Sequence, residues 1–278
     1  MPSTDVPSPA AAALDLLDRD RVLAALDPPA RKLLTELDLH QQVDSTNAEA
    51  MRRVRAGACS GLVCSAEQQL AGRGRRGRAW VSPFASNIYL SLVWEFTGGV
   101  AALEGLSLAV GVVVAEALGD CGVPGLQLKW PNDILHAGAK LGGILLEIGG
   151  DREGGCTVVI GIGLNVKMPD SAAANIDQNW TDIGSIVSPA PDRNQLLAAL
   201  LNKLLPLLPA FADHGFAPWK NLWSARDAYA GKAVVVHSGE QQLAGTATGI
   251  SDSGALLLDA GGTLHTIVGG EVSLRPVA

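Results

Sequence analysis

The stretch "GRGRRGR", Gly72 to Arg78, puts four arginines and three glycines into a chain whose net charge is -7. Its glycines spell G-x-G-x-x-G. A dinucleotide site needs that pattern between a strand and a helix, so that a pyrophosphate meets the helix N-terminus. Here "RAWVSPFASNIYLSL" follows, with Pro83 and then an aromatic, β-branched run that reads as a strand. The helix is missing, which excludes a Rossmann fold. Gly72 and Gly77 also have P-loop spacing, but Arg78-Ala79 stands where Lys-Ser/Thr is required. What remains is a glycine-rich loop between two strands, carrying four guanidiniums. Glycine lets backbone N–H groups approach a ligand closely. Arginine offers a planar fork of donors matched to carboxylate and phosphate oxygens. The competing reading is a solvated surface turn, which four mutually repelling charges disfavour.

The composition narrows the classes. A chain of 278 residues, 47% hydrophobic, can bury one large core and a small second domain. Its 28 acidic against 21 basic residues argue against a general nucleic-acid binder. A basic loop on an acidic chain points to a small anionic ligand. The longest apolar stretch, "LSLAVGVVVA" from 106, is about half the roughly 20 residues of a membrane span. The N-terminus lacks the basic region of a signal peptide. Cys59, Cys64, Cys121 and Cys156 form no CxxC pair and read as reduced thiols in a cytoplasmic protein.

Along the chain, residues 1–14 are Pro-, Ser- and Ala-rich and read as disordered. Asp15 to Leu37 reads as two short helices interrupted at Pro28-Pro29. "QQVDSTNAEAMRRV" reads as a strand running into a helix, with cap residues Asp44 to Asn47 between them. "SGLVCSAEQQ" and "NIYLSLVWEF" are strands on either side of the arginine loop. Val100 to Leu118 is an apolar helix ended by Gly119. "LQLKW" is a short strand stopped by Pro131. "LGGILLEI" and "CTVVIGIGLNV" are adjacent central strands. "MPDSAAANIDQNWTD", 168–182, is a mobile loop, and Asp192 to about Leu205 is a helix kinked or broken at Pro206. From Ala230 short apolar runs alternate with Gly-containing turns, which predicts a small β-barrel and a domain boundary near residue 228.

A second constellation is "KWPNDIL". It places Asn132 and Asp133 after Pro131, at the end of a buried strand, where functional loops concentrate. Lys140 opens "KLGGILLEI" and can present its charge into a cleft. Taken singly, an Asx turn and a snorkelling surface lysine explain these residues as well.

Together "DSTN", "EQQLAGRGRRGRAWVSPFASNIYLS", "KWPNDI", "KLGGILLEI", "GIGLNV" and "GGEVSLR" resemble bacterial biotin protein ligase from about residue 40 to 276. The resemblance implies an α+β fold: a mixed β-sheet catalytic domain like that of class II aminoacyl-tRNA synthetases, plus a C-terminal SH3-like β-barrel. The expected partition is a leader at 1–38, a catalytic domain at 39–228 and the barrel at 229–278. The implied reaction activates biotin with ATP and Mg2+ to biotinyl-5′-AMP. It then transfers biotin to a lysine of the biotin carboxyl carrier domain of a carboxylase.

By the same resemblance, Arg73, Arg75 and Lys140 line the reacting carboxylate and phosphate. Arg76 and Arg78 order the loop or bind pyrophosphate. Ser45, Thr46, Asn47 and Gln69 face the ureido ring, with Gly74 and Gly143 beside biotin. Trp80, Asn132, Asp133, Asn165, Trp180 and Arg275 fall on the nucleotide side, with Asp133 a magnesium ligand. Loops 71–79 and 168–182 are candidate lids that keep water from the anhydride. Many relatives carry an N-terminal DNA-binding domain. The short Pro/Ala/Asp-rich segment here predicts a monofunctional ligase without DNA or membrane binding. Relatives dimerise through sheet edges, so a homodimer stays open. Alternatives are a lipoate or octanoate ligase or transferase of the same fold, a non-catalytic biotin sensor, and, least favoured by charge, a nucleic-acid regulator.

Overall fold

The computed structural model describes residues 15–276 apart from 153–154, 175, 239–240 and 269–271. The described chain opens with α1 (Arg19–Ala24) and α2 (Pro28–Leu33). Pro28 and Pro29 start α2 rather than interrupt a helix, because a first helical turn needs no N–H donors. β1 (Glu36–Val43) leads into α3 (Thr46–Arg55), then β2 (Leu62–Gln69) and β3 (Ile88–Thr97). α4 (Leu106–Asp120) is followed by β4 (Leu126–Lys129), β5 (Asp133–His136), β6 (Ala139–Arg152) and β7 (Gly155–Leu164). Short α5 (Asp170–Ala173) and α6 (Ile183–Ile186) precede long α7 (Arg193–His214) and α8 (Lys220–Ser224). The chain ends in β8 (Ala233–Ser238), β9 (Gln241–Ile250), β10 (Leu256–Ala260), β11 (Thr263–Ile267) and β12 (Val272–Pro276).

Seven strands form one mixed sheet in the order β1-β2-β3-β7-β6-β5-β4, with only β1 and β2 parallel. The last five form an antiparallel sheet, β11-β10-β9-β8-β12, at the positions where the alternating runs were expected. α4 and α7 pack on one face of the large sheet and on each other. Their leucines and valines supply a large share of the main core, which runs on into Val234, Val236, Leu256 and Leu258 of the small sheet. α3 covers the other face over a small cluster of Ala50, Leu62, Cys64, Val93 and Val159. Trp130 donates its indole N–H to Gly254 O at 2.9 Å, tying the two sheets together.

Two helical expectations fail for identifiable reasons. α4 begins at Leu106 after Gly105, whose φ of 78° sets the turn, and runs past Gly119 to Asp120. α7 continues through Pro206 and Pro209 to His214. Both prolines lie on the partly exposed side, while Leu204, Leu205, Leu207 and Leu208 are buried. A helix curves convex toward solvent, so the outer side tolerates the missing hydrogen bonds. By length and composition Val100–Asp120 and Arg193–His214 could each cross a membrane, but more than half of each is buried inside the fold.

Loop 168–182 is corrected at its C-terminal end. Lys140 N donates to Asn179 O at 3.0 Å and Thr181 N to Lys140 O at 2.9 Å, so the segment lies along the start of β6. Residues 15–34, expected as a leader apart from the catalytic domain, pack on α7 and bury Val22, Ala30 and Leu34. Asp18 N donates to Asn194 Oδ1 at 2.6 Å and Asp27 N to Asn202 Oδ1 at 2.8 Å. Deleting residues 1–34 therefore uncovers apolar α7. Losing Val22 alone removes about 2 kcal/mol of burial. Scanning calorimetry should show a melting temperature lower by at least about 4 °C; an unchanged value would return these helices to the status of a dispensable leader.

Candidate functional site

The α3 face of the large sheet is only half covered. Beyond the N-terminus of α3 it presents Ser91 from β3, Gly161 and Gly163 from β7, and Gly143 and Leu145 from β6, aligned by the strand register. Apart from Leu145, these residues fill little space. The hollow above them is a cavity of about 810 Å³, walled by α3, the arginine loop, the Trp130–Asp133 turn and the start of β6. A Cβ on Gly161 would lie 2.2 Å from Asn47 Oδ1, and one on Gly163 would lie 2.6 Å from the Trp80 indole. Both positions are reserved for glycine by what rests on them.

One end of the cavity holds neutral hydrogen-bonding groups. Thr46 N donates to Gln69 Oε1 at 2.9 Å, and Gln69 Nε2 donates to Ser82 Oγ at 3.0 Å. Ser91 Oγ lies 2.6 Å from Asn47 Oδ1 and 2.8 Å from Thr46 Oγ1. Asn47 Nδ2 donates to Glu147 Oε2 at 2.7 Å, so both ends of its amide are fixed. Ser45, Thr46 and Asn47 are buried. Asp44, just before them, is clamped by Arg52, which holds its carboxyl down at about 2.

The other end is cationic. Lys140 Nζ pairs with Asp133 Oδ1 at 2.7 Å and sits 5.5 Å from the Trp80 ring centroid. Arg73 reaches Glu147 at 3.3 Å. Arg75 Nη1 donates to Asn132 Oδ1 at 3.2 Å, and Asn132 Nδ2 donates to Ile144 O at 2.8 Å. Arg76 takes a left-handed conformation, φ 59°, and approaches His237 O of the small sheet. Arg78 also lines the wall. The loop is thus a wall between strands, with a bridge between Arg73 and Ala79 closing it at the base.

Of the residues singled out in the sequence, Ser45, Thr46, Asn47, Gln69, Arg73, Gly74, Arg75, Arg76, Arg78, Trp80, Asn132, Asp133, Lys140 and Gly143 all line this one cavity. Three do not. Asn165 is buried outside the wall, with its Nδ2 committed to Thr181 O at 3.0 Å. Trp180 bridges to Lys140 through its backbone, and its neighbours Asp177 and Gln178 line the wall instead. The side chain of Arg275 lies outside the described residues. Three further participants escaped sequence reading. Glu147 and Ser91 sit within apolar strands, and only the hydrogen bonds that both make with Asn47 mark them. Lys129, also on the wall, was read only as the opening of "KWPND". No disulfide joins the four cysteines, and burial pushes the Cys64 thiol up to about 12, so it stays protonated. Among the described residues, the one cluster of metal-ligating side chains, Asp38, His40 and Glu49, lies on β1 and α3 outside the cavity wall.

A sequence model of the Biotin/lipoate A/B protein ligase family matches residues 39–165, and one of the Biotin protein ligase C terminal domain matches residues 229–275. The chain is 38% identical over 262 residues to the bifunctional ligase/repressor BirA of Salmonella typhimurium, covering 94% of this chain and 79% of that protein. It is 35% identical over 278 residues to the biotin--[acetyl-CoA-carboxylase] ligase of Mycobacterium tuberculosis, covering 92% of this chain and 98% of that one. Among solved structures, biotin protein ligase from Aquifex aeolicus in complex with biotin and ATP aligns with a TM-score of 0.75 at 27% identity, over 88% of this chain and 100% of that one.

The glycine floor is open to a direct check. Gly163→Ala drives a methyl into the Trp80 ring, and the near-UV circular dichroism assigned to Trp80 (by difference from Trp80→Phe) should change. Gly150→Ala, whose Cβ meets nothing within 4 Å, serves as the control and should leave it unaltered.

Proposed function

The chain belongs to the biotin protein ligase family and is an ATP-dependent ligase that joins biotin to a carrier protein; we propose that the cavity beside α3 carries out both steps. In the first, a carboxylate oxygen of biotin attacks the α-phosphorus of ATP. The bond from that phosphorus to the oxygen leading to the β-phosphate breaks, leaving biotinyl-5′-AMP and pyrophosphate. In the second, the amine of a carrier lysine attacks the acyl carbon, AMP departs and the amine loses a proton. The substrates supply their own nucleophiles, so the protein contributes position and charge.

One observation carries this reading: a fixed neutral polar cluster and a cationic cluster face the same cavity. Burying a uncharged ureido ring requires partners for its donors and acceptors. We assign that end to Ser45, Thr46, Asn47 and Gln69. The carboxylate and the α-phosphate repel each other, and Lys140, Arg73 and Arg75 are the cations placed to hold both. Arg76 and Arg78 sit where departing pyrophosphate can be met. The Gly74 and Gly143 backbones allow close approach, and Trp80 offers a face to the base. Asn132 holds Arg75 in place and sits on the nucleotide side. Magnesium arrives with ATP and spreads the charge of the phosphates; Asp133 and Asp177 are the wall carboxylates suited to a hard, oxygen-seeking cation. The acceptor is the biotin carboxyl carrier domain of a carboxylase. A cytoplasmic location, a single catalytic role and no binding to DNA or membrane complete the reading. The acidic net charge and the lack of any disulfide among the four cysteines support it.

Incubation with biotin, MgATP and a carrier domain should add one biotinyl group to the carrier, read by intact mass; an unmodified carrier overturns the assignment. Lys140→Ala should slow biotinyl-AMP formation about a hundredfold, the usual scale for removing a preorganised charge at a developing anion. Pyrophosphate release measures it, and near-native turnover would remove Lys140 from the reacting atoms.

A further inference from the structure

The most deeply buried ion pair among those described lies behind the cavity rather than in it. Arg193, at the start of α7, and Glu67, on β2, are only 3% and 5% exposed and approach to 2.5 Å. Their position coincides with a break in the sheet. β2 pairs with β3 through Val63, Cys64 and Ser65, whose last partner is Leu90. Beyond Ser65, β2 keeps its ladder to β1 alone, out to Gln69. Arg193 spans the gap. Its Nη1 donates to Asn87 O at 3.0 Å while Nη2 reaches Glu67 Oε2. The Glu67 carbonyl accepts from Ala85 N at 3.1 Å. The N-terminal segment closes the arrangement. Leu17 N donates to Glu67 Oε1, and Arg193 Nε donates to Asp15 O at 3.0 Å. Two residues past Glu67, Gln69 accepts from Thr46 N and donates to Ser82, whose hydroxyl bonds to Trp80 O at 2.9 Å.

We propose that Glu67 and Arg193 are positioning residues for the biotin-binding end of the cavity: with the backbone of residues 15–17 they splint the end of β2 that has lost its pairing with β3, and so set Gln69. The proposal rests on Gln69 facing biotin, as assigned above. A charged pair this deep is a costly way to gain stability, since an apolar pair of similar volume often serves as well. What it adds is direction, because a guanidinium can hold two strands and a third segment at fixed angles where no ladder exists.

The test separates position from stability. Glu67→Met combined with Arg193→Leu removes both charges and keeps the volume, so no buried charge is left unpaired; Asp15, the other carboxylate beside Arg193, is 41% exposed and stays solvated. Its melting temperature should stay near that of the native chain. The KM for biotin should rise about tenfold, the scale of one lost buried hydrogen bond, with the KM for ATP unchanged. Leu17→Pro deletes the donor to Glu67 together with a partly buried apolar side chain, leaves both charges in place and should give the same split at smaller size. Equilibrium dialysis with biotin alone should report the same loss without turnover. A native KM for biotin in the double variant, or biotin and ATP values rising together, overturns the proposal. If the double variant fails to fold, Leu17→Pro decides alone. A native chain that never labels the carrier would instead count against the ligase assignment, not against the pair.

Discussion

The sheet face next to α3 stays unfilled because its residues are too small to fill it, and every functional feature depends on that. Ser91, Gly161, Gly163 and Gly143 sit where the rest of the face carries Val93, Val159 and Cys64 under the helix. Had larger residues occupied those positions, the apolar contacts of α3 would have continued across the sheet and closed the hollow. Instead the helix stops at Thr46, and its first residues turn polar groups toward the vacated space. Trp80 then lies against Gly163 and Asn47 against Gly161, each close enough that a single methyl would displace it. The cavity floor therefore fixes the walls as well as leaving room between them.

Much of this was legible in the sequence because it is local. Glycines and arginines in one loop, a proline before Asn132-Asp133 and a lysine at a strand mouth are each visible without knowing what they touch. Fourteen of the seventeen residues singled out line one cavity for that reason. What stayed hidden is non-local. Glu147 reads as one polar residue at the end of "LGGILLEI", and nothing near it in the chain says that it meets both Asn47 and Arg73. Ser91 reads as an ordinary strand residue. The helix through Pro206 was misread because a proline signals a break, and only packing against α4 shows that the outer face bears the loss. The N-terminal segment forms the two short helices its sequence suggested, but its docking on α7 was not legible, since its bonds go to residues more than 170 positions away.

Burial, rather than distance along the chain, separates the two polar systems of the catalytic sheet. In the cavity, hydrogen bonds join α3, the strands and the loops, and the charged groups among them are partly exposed. Behind it, the Glu67–Arg193 pair is fully enclosed and draws on three distant parts of the chain. The first arrangement can exchange a protein partner for a ligand. The second has no room to do so, and its geometry is fixed when the chain folds.

That contrast also answers how so many cations coexist before any ligand arrives. Lys140 has Asp133, Arg73 has Glu147 and Arg75 has Asn132, so these three begin with a carboxylate or amide oxygen already in place. The partners keep the side chains extended along the wall against mutual repulsion. The cost of ordering long side chains is then met on folding rather than on binding. An incoming anion joins a preset array instead of assembling one. Because Arg73 and its partner are substantially exposed, that contact is weak by itself. A ligand carboxylate can share or replace it with little loss, and this is what a charged wall needs if it is to hold a substrate tightly and still release the product.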